Sequence, residues 1–304
     1  MSCIETAVVI SDTQKKILTL LADGEFHSGA ELAGALGLSR SAIWKQLNSL
    51  EGLGVHHSAV SGKGYRLAKR IELLDGNKIN AQLGADAKAW ISSLEIHDLI
   101  DSTNTYLSGL ARQHAPSGFI CLAERQTAGK GRRGRQWVSP YGNNIHLSIL
   151  WRFQHGPAAL SALSLAIGVA VIRALKAQGV DDIGLKWPND VYSQGKKLGG
   201  ILIEIAGENE GPCHAVIGLG LNLFLPEEEA GPIDQPWTDL SRIAGNRKIS
   251  RNQLTASLIN HLLTVIVGFE QHGFEAFRRE WRAYDCLQGL PATVFAGSLR
   301  FDGQ

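Results

Sequence analysis

The chain has 304 residues, long for one domain and comfortable for two. Hydrophobic residues at 44% and charged residues at 19% exclude a disordered or fibrous protein. A net charge of +1 excludes a uniformly basic or acidic surface, so charge matters only where it is concentrated. Cys3, Cys121, Cys213 and Cys286 lack the paired spacing of a disulfide framework or a zinc knuckle, and no metal site is expected. The longest apolar stretch, Leu160 to Ile172, closes on Arg173 before it could span a bilayer and reads as a buried helix. The patch Ala7 to Ile10 has neither the basic flank nor the cleavage site of a secretion signal. A cytoplasmic protein without a membrane partner is expected.

Ser11 or Asp12 can cap a first helix in which Ile17, Leu18, Leu20 and Leu21 share a face, with Gly24 ending it. Ser28-Gly-Ala-Glu31 has the spacing of a capping box and opens a second helix with the apolar face Leu32, Ala35 and Leu36. Gly37 breaks the chain, and Ser39 can cap a third helix that buries Ile43, Leu47 and Leu50 while Arg40, Ser41, Lys45 and Gln46 face outward. Val55 to Val60 and Tyr65 to Leu67 read as strands around Ser61-Gly-Lys-Gly64, a hairpin whose tip carries Lys63. Six cations against one anion between Ser39 and Arg70 favour a winged helix-turn-helix on DNA over a helical packing module. The DNA-facing candidates are Ser39, Arg40, Ser41, Lys45, Gln46 and Lys63.

After a join at Arg70 to Asn80 the pattern turns to strands mixed with longer helices. Leu94 to Ile100 has strand character, and Asp101-Ser-Thr-Asn104 opens a helix whose free amides and hydroxyls can meet an anion or a ureido-type group. The strand Phe119 to Glu124 leads into Arg125-Gln-Thr-Ala-Gly-Lys-Gly-Arg-Arg-Gly-Arg-Gln-Trp137. Its Gly129-x-Gly131-x-x-Gly134 is not a dinucleotide fingerprint, because neither a helix nor an acidic residue about 20 positions on follows. A Walker loop fails too, for want of Gly-Lys-Ser/Thr. What remains is a glycine loop carrying Lys130, Arg132, Arg133 and Arg135, suited to gripping phosphate and carboxylate oxygens.

Asn144 to Trp151 alternates as a strand, and Pro157 to Gln178 reads as one long helix closed by Gly179. Ile183 to Asp190 ends a strand in a turn, Ser193-Gln-Gly-Lys196 makes a hairpin, and Gly218-Leu-Gly-Leu-Asn222 closes another strand. Strands joined by hairpins indicate an α+β domain with a mixed or antiparallel sheet.

Gly129-Lys-Gly-Arg-Arg-Gly-Arg135, Lys186-Trp-Pro-Asn-Asp190, Lys197-Leu-Gly-Gly200 and Gly218-Leu-Gly-Leu-Asn222, in this order behind a winged helix, resemble the bifunctional biotin-protein ligase and biotin operon repressor family of bacteria. The resemblance runs from about residue 12 to the end. It implies a class II synthetase-like central domain and three parts: DNA-binding 1–70, catalytic 71–288 and a partial SH3-like segment 289–304, in which Ala292 to Phe301 suffices for one hairpin. It implies ATP, magnesium and biotin, with biotinyl-5'-AMP as both intermediate and corepressor. The implied partners are the biotin carboxyl carrier protein, operator DNA and, with adenylate bound, a second copy of the chain.

By the same resemblance, Ser102, Thr103, Asn104, Gln126, Lys130, Gly131, Arg132 and Lys186 hold biotin, while Gly129, Arg133, Gly134, Arg135, Asn222 and Trp237 belong to loops around the adenylate. Lys130 stands where the family's loop usually carries arginine. Lys186 and Arg132 are the catalytic candidates, Lys186 bridging the biotin carboxylate and the α-phosphate, with Asp190 a possible helper in transfer. A lipoate-protein ligase and a ligand-sensing transcription factor without catalysis are the rival readings.

Overall fold

A computed structural model of the chain describes residues 10–52, 54–67, 70–208, 211–245, 247–296 and 299–303. Cys3, Lys69 and residues 7–9 of the N-terminal apolar patch lie outside the described residues.

Three helices come first: α1 (Asp12–Leu21), α2 (Gly29–Leu36) and α3 (Arg40–Glu51). Each begins on a serine in extended backbone, Ser11, Ser28 and Ser39, whose hydroxyl accepts an amide three residues on. The capping box is reciprocal at Ser11 and Gln14. At Ser28 only the serine half forms, because the Glu31 carboxylate turns to His27 Nδ1 at 3.1 Å. Ile17, Leu18, Leu21, Leu32, Ile43, Leu47 and Leu50 share one core. Ala33 is buried in α2, where Ala35 was expected: Leu32, Ala33 and Leu36 form the stripe that meets α1 and α3, and Ala35 falls outside it.

The wing is the antiparallel pair β1 (His57–Val60) and β2 (Gly64–Leu67). His27 joins its edge by exchanging both backbone hydrogen bonds with Tyr65 at 2.8 Å. Gly64, at φ 107°, leaves no room for a Cβ beside the His27 carbonyl, so that close approach needs glycine.

The chain then forms α4 (Gly76–Ala81), α5 (Ala85–Trp90), β3 (Ser93–Ile100), α6 (Thr103–Arg112), β4 (Phe119–Gln126), β5 (Ile145–Phe153) and α7 (Leu163–Ala177). It continues with β6 (Gly184–Lys186), β7 (Asp190–Ser193), β8 (Lys196–Gly207), β9 (Cys213–Leu221), α8 (Leu240–Ile243), α9 (Arg251–His272) and α10 (Glu275–Ala283). The seven strands lie in the order β3-β4-β5-β9-β8-β7-β6. Only β3 and β4 run parallel, across α6; every other pair is antiparallel, giving the mixed sheet of an α+β domain.

One face of this sheet carries α7 and α9 over its largest apolar core, and the other carries α6. Helix α7 is buried on nearly every side, which accounts for its unbroken apolar run. The expected single helix from Pro157 is divided: Pro157–Leu160 is a 3-10 turn, and Ala162 at φ −107°, ψ 10° separates it from α7.

The start of α9 is tied into the sheet by a buried ion pair between Arg251 and Glu124. The Arg251 guanidinium also donates to the Asn144 and Glu72 carbonyls, and Glu124 accepts the Leu74 amide. Both charges are thus fully partnered, the condition for a buried pair to be tolerated. Last comes the hairpin of β10 (Ala292–Ala296) and β11 (Leu299–Gly303).

Candidate active site and nucleic-acid interface

A pocket opens over β8 and β9 on the α6 side of the sheet, between the α6 N-terminus and the glycine loop. Its floor follows from glycines. Gly200 and Gly220 face each other across β8 and β9, and a Cβ on Gly220 would meet the Trp137 indole at 2.5 Å, so the ring lies in a trough that side chains would fill. A Cβ on Gly218 would run into Asn104 Oδ1. The bare strands thereby admit one side chain from α6 and one from the loop.

One end of the pocket is neutral and polar. Ser102, Thr103 and Asn104 are buried at the start of α6, which Ser102 caps. Gln126 Oε1 accepts from the Thr103 amide at 2.8 Å and from its hydroxyl at 3.0 Å. Ser148 Oγ lies 2.7 Å from Thr103 Oγ1 and 2.6 Å from Asn104 Oδ1, and Asn104 Nδ2 donates to Glu204 at 2.8 Å.

Behind this row, Ser139 Oγ accepts the Gln126 amide at 2.7 Å and stands 2.7 Å from His146 Nε2. Desolvation, helped by the nearby Arg251 charge, pushes the His146 pKa down to about 3. The ring is therefore neutral and able to accept the Ser139 proton. A row of amides and hydroxyls held this firmly suits a ligand with its own neutral donors and acceptors.

The other end is cationic. Lys197 Nζ pairs with Asp190 Oδ1 at 2.8 Å and lies 5.7 Å above the Trp137 ring. Lys130 Nζ stands 3.8 Å from Glu204, and Arg132 donates to Asn189 Oδ1 at 2.9 Å. In the glycine loop Arg133 (φ 58°) and Gly134 (φ 75°) take left-handed backbone, and Arg135 pairs with Asp234 at 3.6 Å. That pairing brings a second loop alongside: Lys197 exchanges backbone hydrogen bonds with Pro236 and Thr238, and the Arg242 guanidinium stacks 4.2 Å over the Trp237 ring.

Residues 96–222 match the Biotin/lipoate A/B protein ligase family, and residues 13–66 match an HTH domain. The chain is 40% identical to the bifunctional ligase/repressor BirA of Escherichia coli (strain K12) over 95% of its own length and 87% of that protein. It is 33% identical to the Bacillus subtilis (strain 168) protein of the same name, over 90% of this chain and 84% of that one. The chain belongs to the bifunctional biotin ligase/repressor family. Its fold also matches a biotin protein ligase from Aquifex aeolicus solved in complex with biotin and ATP, with TM-score 0.58 and 25% identity over 70% of this chain and 87% of that one.

Within this family framework, most of the residues expected around the ligand come together: Ser102, Thr103, Asn104, Gln126, Lys130, Gly131 and Arg132 all line the pocket. Lys186 is not among the residues that line it. Its Nζ is 3.2 Å from the Tyr192 hydroxyl and 4.8 Å above that ring, in an adjoining cleft with Ser164, Pro188 and Trp281 that shares Asn189 and Ile201 with the pocket. Lys197 lines the pocket together with Lys130. A β-bulge between Val191 and Tyr192 shifts the register of β7 on β8, and Lys197 pairs with Asp190 two strand positions away.

Asn222 is buried, donates to the Thr238 carbonyl at 3.1 Å and so holds the second loop without lining the pocket. Gly129 is pressed against Trp137, while Arg133, Gly134 and Arg135 lie exposed beyond the rim. Trp137, Ser148 and Asn189 were not anticipated from sequence. The signal that could have found Trp137 is the facing glycines of two paired strands, which need a flat partner.

On the N-terminal module, Arg40, Ser41, Lys45 and Lys63 are exposed and Gln46 is half-buried. Ser39 is occupied as the cap of α3, 3.2 Å from the Ala42 amide. Lys63 and Arg66 lie 5.9 and 4.6 Å from the Phe26 ring, which gathers the wing cations at the foot of α2.

Proposed function

We propose that the protein is an ATP-dependent biotin-protein ligase, forming biotinyl-5'-AMP and transferring the biotinyl group to a lysine of the biotin carboxyl carrier protein of acetyl-CoA carboxylase. Its N-terminal module represses the biotin biosynthesis operon with biotinyl-AMP as corepressor. Labour divides along the chain: 1–70 binds operator DNA, 71–288 carries the chemistry, and 289–304 is the SH3-like segment. The observation that supports the ligase most is one pocket with two chemistries, a neutral amide and hydroxyl row for a ureido head and a lysine–arginine end for carboxylate and phosphate.

In this reading Ser102, Thr103, Asn104 and Gln126 hold the biotin head, and Lys130, Gly131 and Arg132 close over its acid chain. Lys197 is the lysine assigned here to the carboxylate and the α-phosphate, with Lys186 in the adjoining cleft as the alternative. A biotin carboxylate oxygen attacks the α-phosphorus, the bond to the bridging oxygen breaks, and pyrophosphate leaves. Lys197 and Arg132 offset the charge of two anions brought together. Gly129, Arg133, Gly134 and Arg135 then order over the adenylate, with Trp237 beside the adenine. In the second step the acceptor lysine nitrogen attacks the acyl carbon, AMP leaves, and the amine gives up a proton. Asp190, 2.8 Å from Lys197, is the carboxylate assigned to receive it.

Among the described residues no cluster of three or more acidic, histidine or cysteine side chains could cage a metal. Magnesium would be carried by the ATP phosphates, whose charge it would offset. Ordering of the loops by adenylate favours a homodimer, which presents two winged helices to a two-part operator. We place the protein in the cytoplasm, where ATP and the carrier protein meet. Pyrophosphate release on mixing the protein with biotin and magnesium-ATP tests the enzyme against a sensor; ligand binding without release would refute catalysis.

A further inference from the structure

Of the large apolar side chains described in the N-terminal module, Trp44 is the most exposed, at 56%, and it stands on α3 with more than half of its surface open. It lies one turn after Arg40 and one turn before Asn48, next to Lys45, and all three neighbours are exposed. The α3 core is filled by Ile43, Leu47 and Leu50, so Trp44 adds nothing to it. What singles this ring out is its setting, in the middle of a cationic, solvent-facing side of the helix-turn-helix. The charge around it selects a polyanion: Arg40 and Lys45 flank it on the helix, and Lys63 and Arg66 extend the same sign into the wing.

Within the major groove, the apolar feature that a ring can cover is the C5 methyl of thymine. We propose that Trp44 is a specificity residue, packing its indole on a thymine methyl while Arg40 and Lys45 hold the phosphates on either side. The proposal rests on the DNA-binding reading of this module and adds to it the base that the helix reads. Trp44 was not among the DNA-facing residues expected from sequence, because an aromatic between helix-forming polar residues reads equally as core.

The test starts with the full chain, biotin and magnesium-ATP, and a random-sequence duplex pool from which bound DNA is selected. The selected duplex is then remade with deoxyuridine for thymine, one position at a time, removing only the methyl. At one thymine of each half-site the wild-type chain is expected to lose about fourfold in affinity, the equivalent of about 0.8 kcal/mol for one buried methyl-sized group. Trp44→Ala is expected to bind the thymine and deoxyuridine duplexes equally and to keep wild-type affinity for unselected DNA, which also shows that the module is folded.

If Trp44→Ala retains the methyl preference, or if no deoxyuridine substitution matters to the wild-type chain, the Trp44 assignment is overturned while DNA binding stands. If selection enriches no sequence at all, the DNA reading falls and the assignment with it.

Discussion

Lys197 and Lys186 flank the same hairpin, eleven residues apart, and only one reaches the pocket. Lys197→Ala is expected to slow biotinyl-AMP formation by about 10²- to 10³-fold, the usual cost of removing one group that meets charge developing in a transition state. Lys186→Ala, which removes the contact with Tyr192, is expected to stay within a few-fold of the parent in the same single-turnover pyrophosphate assay. The reverse ranking would return the role to Lys186. Spacing does not choose between the two, since both flank a hairpin whose register shifts at Val191 and Tyr192, a bulge that no residue type announces. The α6 cap and the glycine loop were legible, because a serine at a helix start and cations among glycines carry their own physical reason. Trp44 and Trp137 were not, since an aromatic's exposure depends on what the rest of the fold places over it.

Among the elements, two histidines give the two parts of the chain opposite responses to pH. His27 links α1, α2 and the wing, with Nε2 2.9 Å from Asp23 and Nδ1 3.1 Å from Glu31. Desolvation pulls its pKa down, but the hydrogen bonds and charges of Asp23 and Glu31 outweigh it and hold the pKa above the ordinary 6.5. Its contribution is complete below pH 6.5 and is lost as pH rises through the folded value.

His146 works the other way: neutral in the core, it stabilises above pH 6.5, and that stability is lost as pH falls from 6.5 toward its folded value of about 3. Hydrogen exchange followed peptide by peptide from pH 5.5 to 8 is expected to show residues 12–67 losing protection as pH rises, while β4 and β5 lose it as pH falls. Parallel trends in both regions would contradict these assignments. At this scale the sequence was read well for α1, α3 and the wing, each marked by a cap, a stripe or a turn, and less well for α2 and the Pro157 helix. There, neighbouring helices chose which small residue to bury, and a 3-10 lead-in satisfied the same apolar pattern.

Across the whole molecule, the pocket and the DNA-binding module share a segment. Ser139 holds Gln126 at the pocket, and two residues on Tyr141 is buried in the core of the three-helix module, with Leu99 of β3 and the joining residues Ile71 and Leu73 packed there too. Lys15 of α1 and Asp98 of β3 pair across the same boundary at 3.3 Å. Tyr141→Ala empties a buried aromatic site, at a cost of about 3–5 kcal/mol if the cavity stays open. It is expected to lower the melting temperature of the N-terminal module and weaken operator binding while leaving pyrophosphate release within a few-fold of the parent; a loss of release equal to the loss of DNA binding would show that the two sites do not separate at this residue. The contact joins residues about a hundred positions apart, so no local pattern in the sequence could have disclosed it.

The central claim is that the pocket makes biotinyl-AMP and passes its acyl group to a protein lysine. The intact mass of a biotin carboxyl carrier domain, measured after incubation with the full chain, biotin and magnesium-ATP, tests it most directly. A gain of one biotinyl group that is lost with Lys197→Ala is the expected result; an unchanged mass with the wild-type chain, under conditions in which a known biotin ligase modifies the same domain, would contradict it.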